Sequence, residues 1–303
     1  MGEITELALL VPGGHGQLGT DLAALGARIG TVRAPGSADL DITSDTAVRA
    51  AIKNLVDDSR IAGRHPIVVN AAAYTAVDAA ETDETTAHLV NAHGPAVLAM
   101  ACAEAGVPLI HVSTDYVFAG DADHPYEPDD PTYPRSVYGH TKLAGEQAVL
   151  SATDSAWVVR TAWVYGAAGG NFVKTIVKLQ GQRDTLSVVD DQRGSPTWSA
   201  DLAAGLLDLA TAIADGRAPA DRVLHRTGGG ETTWFGLARA VFEELGADPA
   251  RVHPCTTADF PRPAPRPAYS VLSDRTWLAA GLVPAVPWRA ALRTFFVKQG
   301  DSG

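Results

Sequence analysis

Leu7-Ala8-Leu9-Leu10-Val11-Pro12-Gly13-Gly14-His15-Gly16-Gln17-Leu18-Gly19 sets five apolar residues directly before glycines at 13, 16 and 19. An unbroken apolar run of this length reads as a strand buried on both faces. Leu18, Leu22 and Leu25 then follow at helical spacing. Strand, glycine turn and helix in that order form a receptor for a dinucleotide pyrophosphate. The first glycine permits the tight turn, the second lets backbone approach the anion, and the third lets helix lie close on strand. The helix N-terminus offers unpaired N–H groups.

Working outward, strands are expected at 27–33, 65–70, 108–112 and 156–160, with helical segments between them. Thr43-Ser44-Asp45 supplies N-cap chemistry for the second helix. A third helix over 85–106 is expected to turn Leu89, Val97 and Met100 inward, with Asn91 bridging backbone. This βα rhythm predicts an α/β fold with a doubly wound, Rossmann-type parallel sheet. After residue 166 the rhythm weakens. The 199–214 helix and the 222–226 strand are expected to rejoin the sheet, which gives a dinucleotide-binding domain over 1–165 with about 197–226. Residues 166–196 and 227–303 would make a smaller C-terminal, substrate-binding α/β domain. The segment 190–198 reads as a polar loop, and the prolines between Phe260 and Pro267 exclude regular structure there.

Composition narrows the function classes. A formal charge of −11 argues against nucleic acid and anionic membrane as partners. No apolar run reaches the ~18–20 residues of a membrane helix. The acidic opening, Met1 to Glu6, is unlike a secretory signal. Cys102 and Cys255 are too few and too far apart for a disulfide framework or a metal pattern, so the chain is expected to be cytoplasmic.

Two further pieces carry chemistry. Ser113-Thr114-Asp115-Tyr116-Val117-Phe118 closes one strand, and Tyr138-Gly139-His140-Thr141-Lys142 opens a helix. Four residues apart on a helix, Tyr138 and Lys142 project from one face. An ammonium beside a phenol is expected to lower its pKa, Thr114 can bond a carbonyl oxygen, and Tyr138 can protonate it. Such a site reduces a ketone reversibly, and Lys142 can also reach a cofactor's ribose hydroxyls. Ala71-Ala72-Ala73 at another strand end leaves room for a flat ligand. Where NAD sites carry an acid at the end of the second strand, this chain has Arg33, which favours NADPH through its 2′-phosphate; NADH and a solvated surface arginine are the alternatives.

Taken together, Asn70 to Asp78 (NAAAYTAVD), Ser113 to Phe118 (STDYVF), Tyr138 to Glu146 (YGHTKLAGE), Arg160 to Gly166 (RTAWVYG) and Asp191 to Thr197 (DQRGSPT) resemble the dTDP-4-dehydrorhamnose reductase family of extended short-chain dehydrogenase/reductases. The likeness covers nearly the whole chain. It implies that Thr114, Tyr138 and Lys142 are catalytic, with Tyr138 the proton donor. It implies that Gly13, Gly16, Gln17 and Leu18 contact the pyrophosphate and Asp41 with Ile42 the adenine end. Ala72, Ala73, Tyr74, Thr75 and Val112 would line the rest of the cofactor. Val77, Asp115, Tyr116, Trp163, Gln192, Pro196 and Arg266 would face the dTDP-sugar. At positions where some members hold a bridging magnesium, this chain carries Asp21, Asp201 and Arg289. An arginine cannot ligate magnesium, so no metal and a monomer are expected, with a weak homodimer as the alternative.

The resemblance implies reduction of the C4 ketone of dTDP-4-dehydro-L-rhamnose. Its alternatives are reduction of another dTDP-4-keto-6-deoxy sugar, or a non-catalytic NADP-binding regulatory subunit. Tyr116, where dehydratases usually carry Glu, disfavours that chemistry.

Overall fold

The apolar run becomes β1 (Leu7–Leu10), and the glycine turn leads into α1 (Gln17–Gly26). The coordinates are a computed structural model and describe residues 6–300; residues 1–5 of the opening segment lie outside the described residues. Next come β2 (Gly30–Arg33), α2 (Asp45–Ala62), β3 (His65–Asn70), α3 (Val77–Ala80) and α4 (Glu84–His88). A π-helical turn, Leu89–His93, joins α4 to α5 (Gly94–Ala105), and β4 (Leu109–Thr114), α6 (Val137–Ala152) and β5 (Ala156–Thr161) follow.

The remaining elements are β6 (Val164–Tyr165), α7 (Phe172–Gln180), β7 (Leu186–Val189), β8 (Arg193–Gly194), β9 (Thr197–Trp198) and α8 (Ser199–Ala214). After them come β10 (Val223–His225), β11 (Thr232–Thr233), α9 (Trp234–Glu244), β12 (Val252–Cys255), α10 (Arg275–Ala279) and α11 (Trp288–Gly300).

Six strands form one parallel sheet in the order β10-β5-β4-β3-β1-β2. Side chains alternate across it, and the apolar run of β1 shows why it had to be continuous. Leu7 and Leu9 face α1 and α8 in one core, while Ala8 and Leu10 face α2 and α5 in another. As expected, the later helix α8 and strand β10 return to this sheet. A separate cluster joins α7, α9 and α11 with the parallel pair β7·β12 around Val173, Val241 and Phe242.

Two expectations require correction. The 85–106 helix is interrupted by the π turn, whose extra residue rotates what precedes it. Val97 is buried, but Leu89 and Met100 are 44% and 45% exposed. Asn91 occupies the interior instead, giving Nδ2 to the Tyr74 carbonyl (3.1 Å) and taking the Tyr74 N–H on Oδ1 (2.8 Å). That is the backbone bridge read from sequence. The 190–198 stretch is not a solvated loop either. It contains β8 and β9 and buries Gln192, Ser195, Pro196 and Thr197.

Candidate active site

The sheet order reverses at β1, between β2 and β3, and in such sheets a crevice opens beyond the strand ends at that point. Here the crevice is a cleft of about 790 Å³. One wall is the glycine turn. Gly13 sits at φ +81°, where a Cβ would stand 2.6 Å from the Ala72 nitrogen. At Gly19 a Cβ would stand 2.2 Å from the Gly13 carbonyl oxygen, so the third glycine is required for the turn to fold back on α1. Gly16 caps α1 without a side chain, which leaves first-turn N–H groups open to a ligand. Asn70 braces the strand end beside this turn: its Oδ1 accepts from the Ala72 N–H at 3.1 Å, and its Nδ2 lies 3.0 Å from His111 Nδ1.

Of the residues expected at the cofactor, Gly13, Gly16, Gln17, Leu18, Asp41, Ile42, Ala72, Ala73, Thr75, Val112, Tyr138 and Lys142 line this cleft. Tyr74 contributes only the main-chain groups held by Asn91. Arg33 ends β2 next to the turn, but its guanidinium is paired with Asp58 on α2 and does not line the cleft. The pair is half-exposed, and such surface pairs contribute about 0–1 kcal/mol, so a phosphate can compete for the arginine.

The Tyr138 helix docks tightly over the strand ends. Ser136 caps α6 by accepting from the Gly139 N–H at 3.1 Å. A Cβ on Gly139 would stand 2.3 Å from the Tyr116 carbonyl oxygen, which is why glycine follows the tyrosine. Tyr138 packs edge-on against Tyr116, with ring centroids 5.5 Å apart. Lys142 is buried and gives Nζ to the Val112 carbonyl at 2.7 Å.

Burial pushes the Tyr138 phenol up to about 12, with the Thr114 hydroxyl pulling the other way and Asp115 adding to the rise. Burial likewise pushes the Lys142 ammonium down to about 8, opposed by Glu146. The expected lowering of Tyr138 by Lys142 is not found: desolvation dominates, and the groups acting on the phenol are Thr114 and Asp115. The result suits an acid, since the phenol stays protonated until an oxygen is ready to receive its proton.

Thr114 lines this cleft together with Tyr138 and Lys142, and Val77, Asp115, Tyr116 and Trp163 line it too. Trp163 adopts φ +50°, a left-handed conformation strained for a bulky residue. Its indole stacks on Trp234 with centroids 3.5 Å apart and lies over Gly194, where a Cβ would intrude to 2.5 Å. Trp234, Phe172, Leu237, Asn171 and His15 are among the further lining residues. Apart from His15, which lies within the glycine turn, these carry no sequence signal that separates them from ordinary packing or surface residues. Gln192, Pro196 and Arg266 do not reach the main cleft. Gln192 donates to the Thr257 hydroxyl at 2.9 Å, and Pro196 is buried with its carbonyl against Gly228. Arg266 pairs with Asp78 (2.9 Å), which also holds Arg262, and lines a small neighbouring pocket beside Tyr116.

Asp21, Asp201 and Arg289 are engaged elsewhere. Asp21 accepts from the Ser199 hydroxyl, Asp201 pairs with Arg226 at 3.3 Å, and Arg289 pairs with Glu243 and Glu244.

An anion-receiving glycine turn facing a Thr/Tyr/Lys constellation across one edge of a parallel sheet defines a nicotinamide-dependent oxidoreductase of the short-chain dehydrogenase/reductase class. Residues 7–300 match the family described as RmlD substrate binding domain. The chain belongs to that family, the dTDP-4-dehydrorhamnose reductases. A dTDP-4-dehydrorhamnose reductase of Streptomyces griseus is 50% identical over 289 residues, covering 95% of this chain and 92% of its own. A probable dTDP-4,6-dihydroxy-2-methyloxan-3-one 4-ketoreductase of Streptomyces antibioticus is 49% identical, covering 95% and 94%. The crystal structure of the Bacillus anthracis dTDP-4-dehydrorhamnose reductase in complex with NADP superposes with a TM-score of 0.88 at 32% identity, covering 97% and 100%.

Proposed function

We propose that this chain reduces the C4 ketone of dTDP-4-dehydro-L-rhamnose to give dTDP-L-rhamnose, with NADPH as reductant. The observation that carries the reading is the convergence of Thr114, Tyr138 and Lys142 on one cleft whose other wall is the glycine turn. The turn fits a dinucleotide, because side chains at Gly13 and Gly19 would collide with backbone on the cradle's own wall. Bound NADPH supplies a hydride. Tyr138 gives its phenolic proton to the oxygen on which negative charge develops, and Thr114 steadies that oxygen. Lys142, anchored to the Val112 carbonyl, keeps a positive charge beneath the site below pH about 8. Trp163 and Trp234 offer an apolar wall suited to a 6-deoxy carbon. Within this reading, residues 1–165 and 197–226 hold the cofactor, and residues 166–196 and 227–303 complete the sugar site, in the cytoplasm.

The test is NADPH oxidation with dTDP-4-dehydro-L-rhamnose and product identification by NMR. Formation of dTDP-L-rhamnose is expected. No consumption by folded, NADPH-binding protein rules the reading out, and the 4-epimeric product reassigns the sugar. In the same assay, Arg33→Ala is expected to weaken NADPH by about tenfold and leave NADH unchanged, as loss of one charge-assisted phosphate contact requires. Equal effects on both cofactors would remove Arg33 from the 2′-phosphate site.

For assembly we propose a monomer without a bridging metal, because Arg289 is neutralised by Glu243 and Glu244 at the end of α9. Gel filtration is expected to give one monomeric peak with and without EDTA; a dimer dissociated by EDTA contradicts this.

A further inference from the structure

A hydroxyl group has one proton and two lone pairs, and at Thr114 two of these are already committed. The Tyr116 N–H donates to Thr114 Oγ1 at 3.2 Å, and Oγ1 donates its only proton to Asp115 Oδ1 at 3.0 Å. One lone pair remains, and the Tyr138 phenol is the neighbouring group that hydrogen-bonds with Thr114. In that arrangement Thr114 has no proton for a ketone oxygen, and its free lone pair invites the Tyr138 proton away from the substrate.

We propose that Asp115 is a positioning residue whose protonation state sets the direction of the Thr114 hydroxyl and so readies or withholds the proton of Tyr138. When Asp115 is protonated it donates into Thr114 Oγ1. Both lone pairs of that oxygen are then filled by donors, from Asp115 and from the Tyr116 N–H. The Thr114 proton must point into the cleft, and the Tyr138 proton is left for the alkoxide. When Asp115 is ionised the direction reverses. No bond other than O–H changes, and one proton enters or leaves the carboxyl with solvent.

The surroundings fit a carboxyl that changes state near neutrality. Asp115 is buried, lines the cleft, and its Oδ2 has no hydrogen-bond partner among the described residues. Burial raises its pKa to about 6; Ser270, Thr114 and backbone N–H groups pull the other way. Ser270 Oγ does so without a hydrogen bond of normal geometry. The titratable groups around the site are Tyr116 on the same turn and Tyr138 with Lys142 on α6. Beyond Tyr116 stand Arg266 and Asp78, closed on each other. The Arg160–Glu146 pair is likewise closed, and no described ion pair reaches Asp115.

This inference rests on the reductase reading, and its test separates the two. With saturating NADPH, kcat/KM for the keto-sugar is expected to fall roughly tenfold between pH about 5.5 and about 7.5, as loss of a donor at a developing oxyanion requires. Lys142, pushed down to about 8, stays mostly charged over that range. Asp115→Asn, whose amide does not titrate, is expected to give a flat profile there while binding NADPH normally by fluorescence. A flat wild-type profile, or the same inflection in Asp115→Asn, overturns the proposal. Carboxyl carbon-13 NMR of the ligand-free wild type supplies a readout independent of turnover. A resonance absent from Asp115→Asn should titrate with a midpoint near 6, and a midpoint in the ordinary carboxylate range overturns the proposal. Absence of any turnover at every pH overturns the reductase reading instead, and the NMR midpoint still decides the fate of Asp115.

Discussion

Tyr138→Phe is expected to lower kcat by about 10²–10⁴-fold, the usual contribution of a positioned general acid. NADPH affinity should stay within about twofold, because the substitution removes one hydroxyl and leaves the glycine turn and Lys142 in place. The ring would keep its edge contact with Tyr116 and its place among Val77, Ala80 and Ala87. The fall should therefore appear in kcat and kcat/KM together, the pattern of an interaction made only in the transition state. A solvent isotope effect present in the wild type should disappear from the residual activity if water replaces the phenol as a non-limiting donor. Retention of activity within about threefold, with NADPH still bound, would take the proton-donor role away from Tyr138. The prediction is robust to cofactor choice, since NADH and NADPH present the same nicotinamide to this oxygen.

How much of this could be read before any coordinates depended on the kind of signal. The dinucleotide turn and the pairing of Tyr138 with Lys142 are local, set by glycine sterics and by one helical turn, so the sequence reports them directly. The return of α8 and β10 to the sheet was legible from apolar runs following the irregular stretch. What escaped were features set by contacts between distant segments. The π turn that exposes Leu89 exists because Asn91 must meet the Tyr74 backbone across the structure. Trp234 reaches the cleft only because β8 places Gly194 beneath Trp163. The pKa of Tyr138 also went against expectation, because the spacing to Lys142 is visible in sequence and the burial that dominates the phenol is not. Arg33 was placed at the right strand end, yet its engagement by Asp58 requires the packing of α2.

Glu146→Gln is expected to destabilise the fold by about 3–5 kcal/mol, the cost of leaving a buried charge without its partner. Glu146 and Arg160 are nearly inaccessible, with side chains 2% and 5% exposed, and meet through three hydrogen bonds of 2.8–3.2 Å. Arg160 also gives Nη1 to the Pro128 carbonyl at 3.1 Å, so the pair ties α6 both to β5 and to the loop before it. The amide variant would leave the Arg160 guanidinium facing a neutral group in a site closed to water. Replacing both partners by apolar groups, Glu146→Leu with Arg160→Met, should recover most of the loss, because no charge is then stranded. Urea denaturation of the three proteins measures this, and a single variant within about 1 kcal/mol of wild type would mean that water reaches the arginine. The same pair bears on chemistry. Glu146 is the group that opposes the burial of Lys142, so its neutralisation should let the lysine lose its proton at lower pH. Activity of Glu146→Gln should begin to decline below about 8, the value to which burial pushes wild-type Lys142, whereas the fall at lower pH set by Asp115 should be unmoved. A stability loss with an unchanged alkaline limb would assign the pair to the fold alone, and a shifted limb assigns it to the placement of charge under the active site as well.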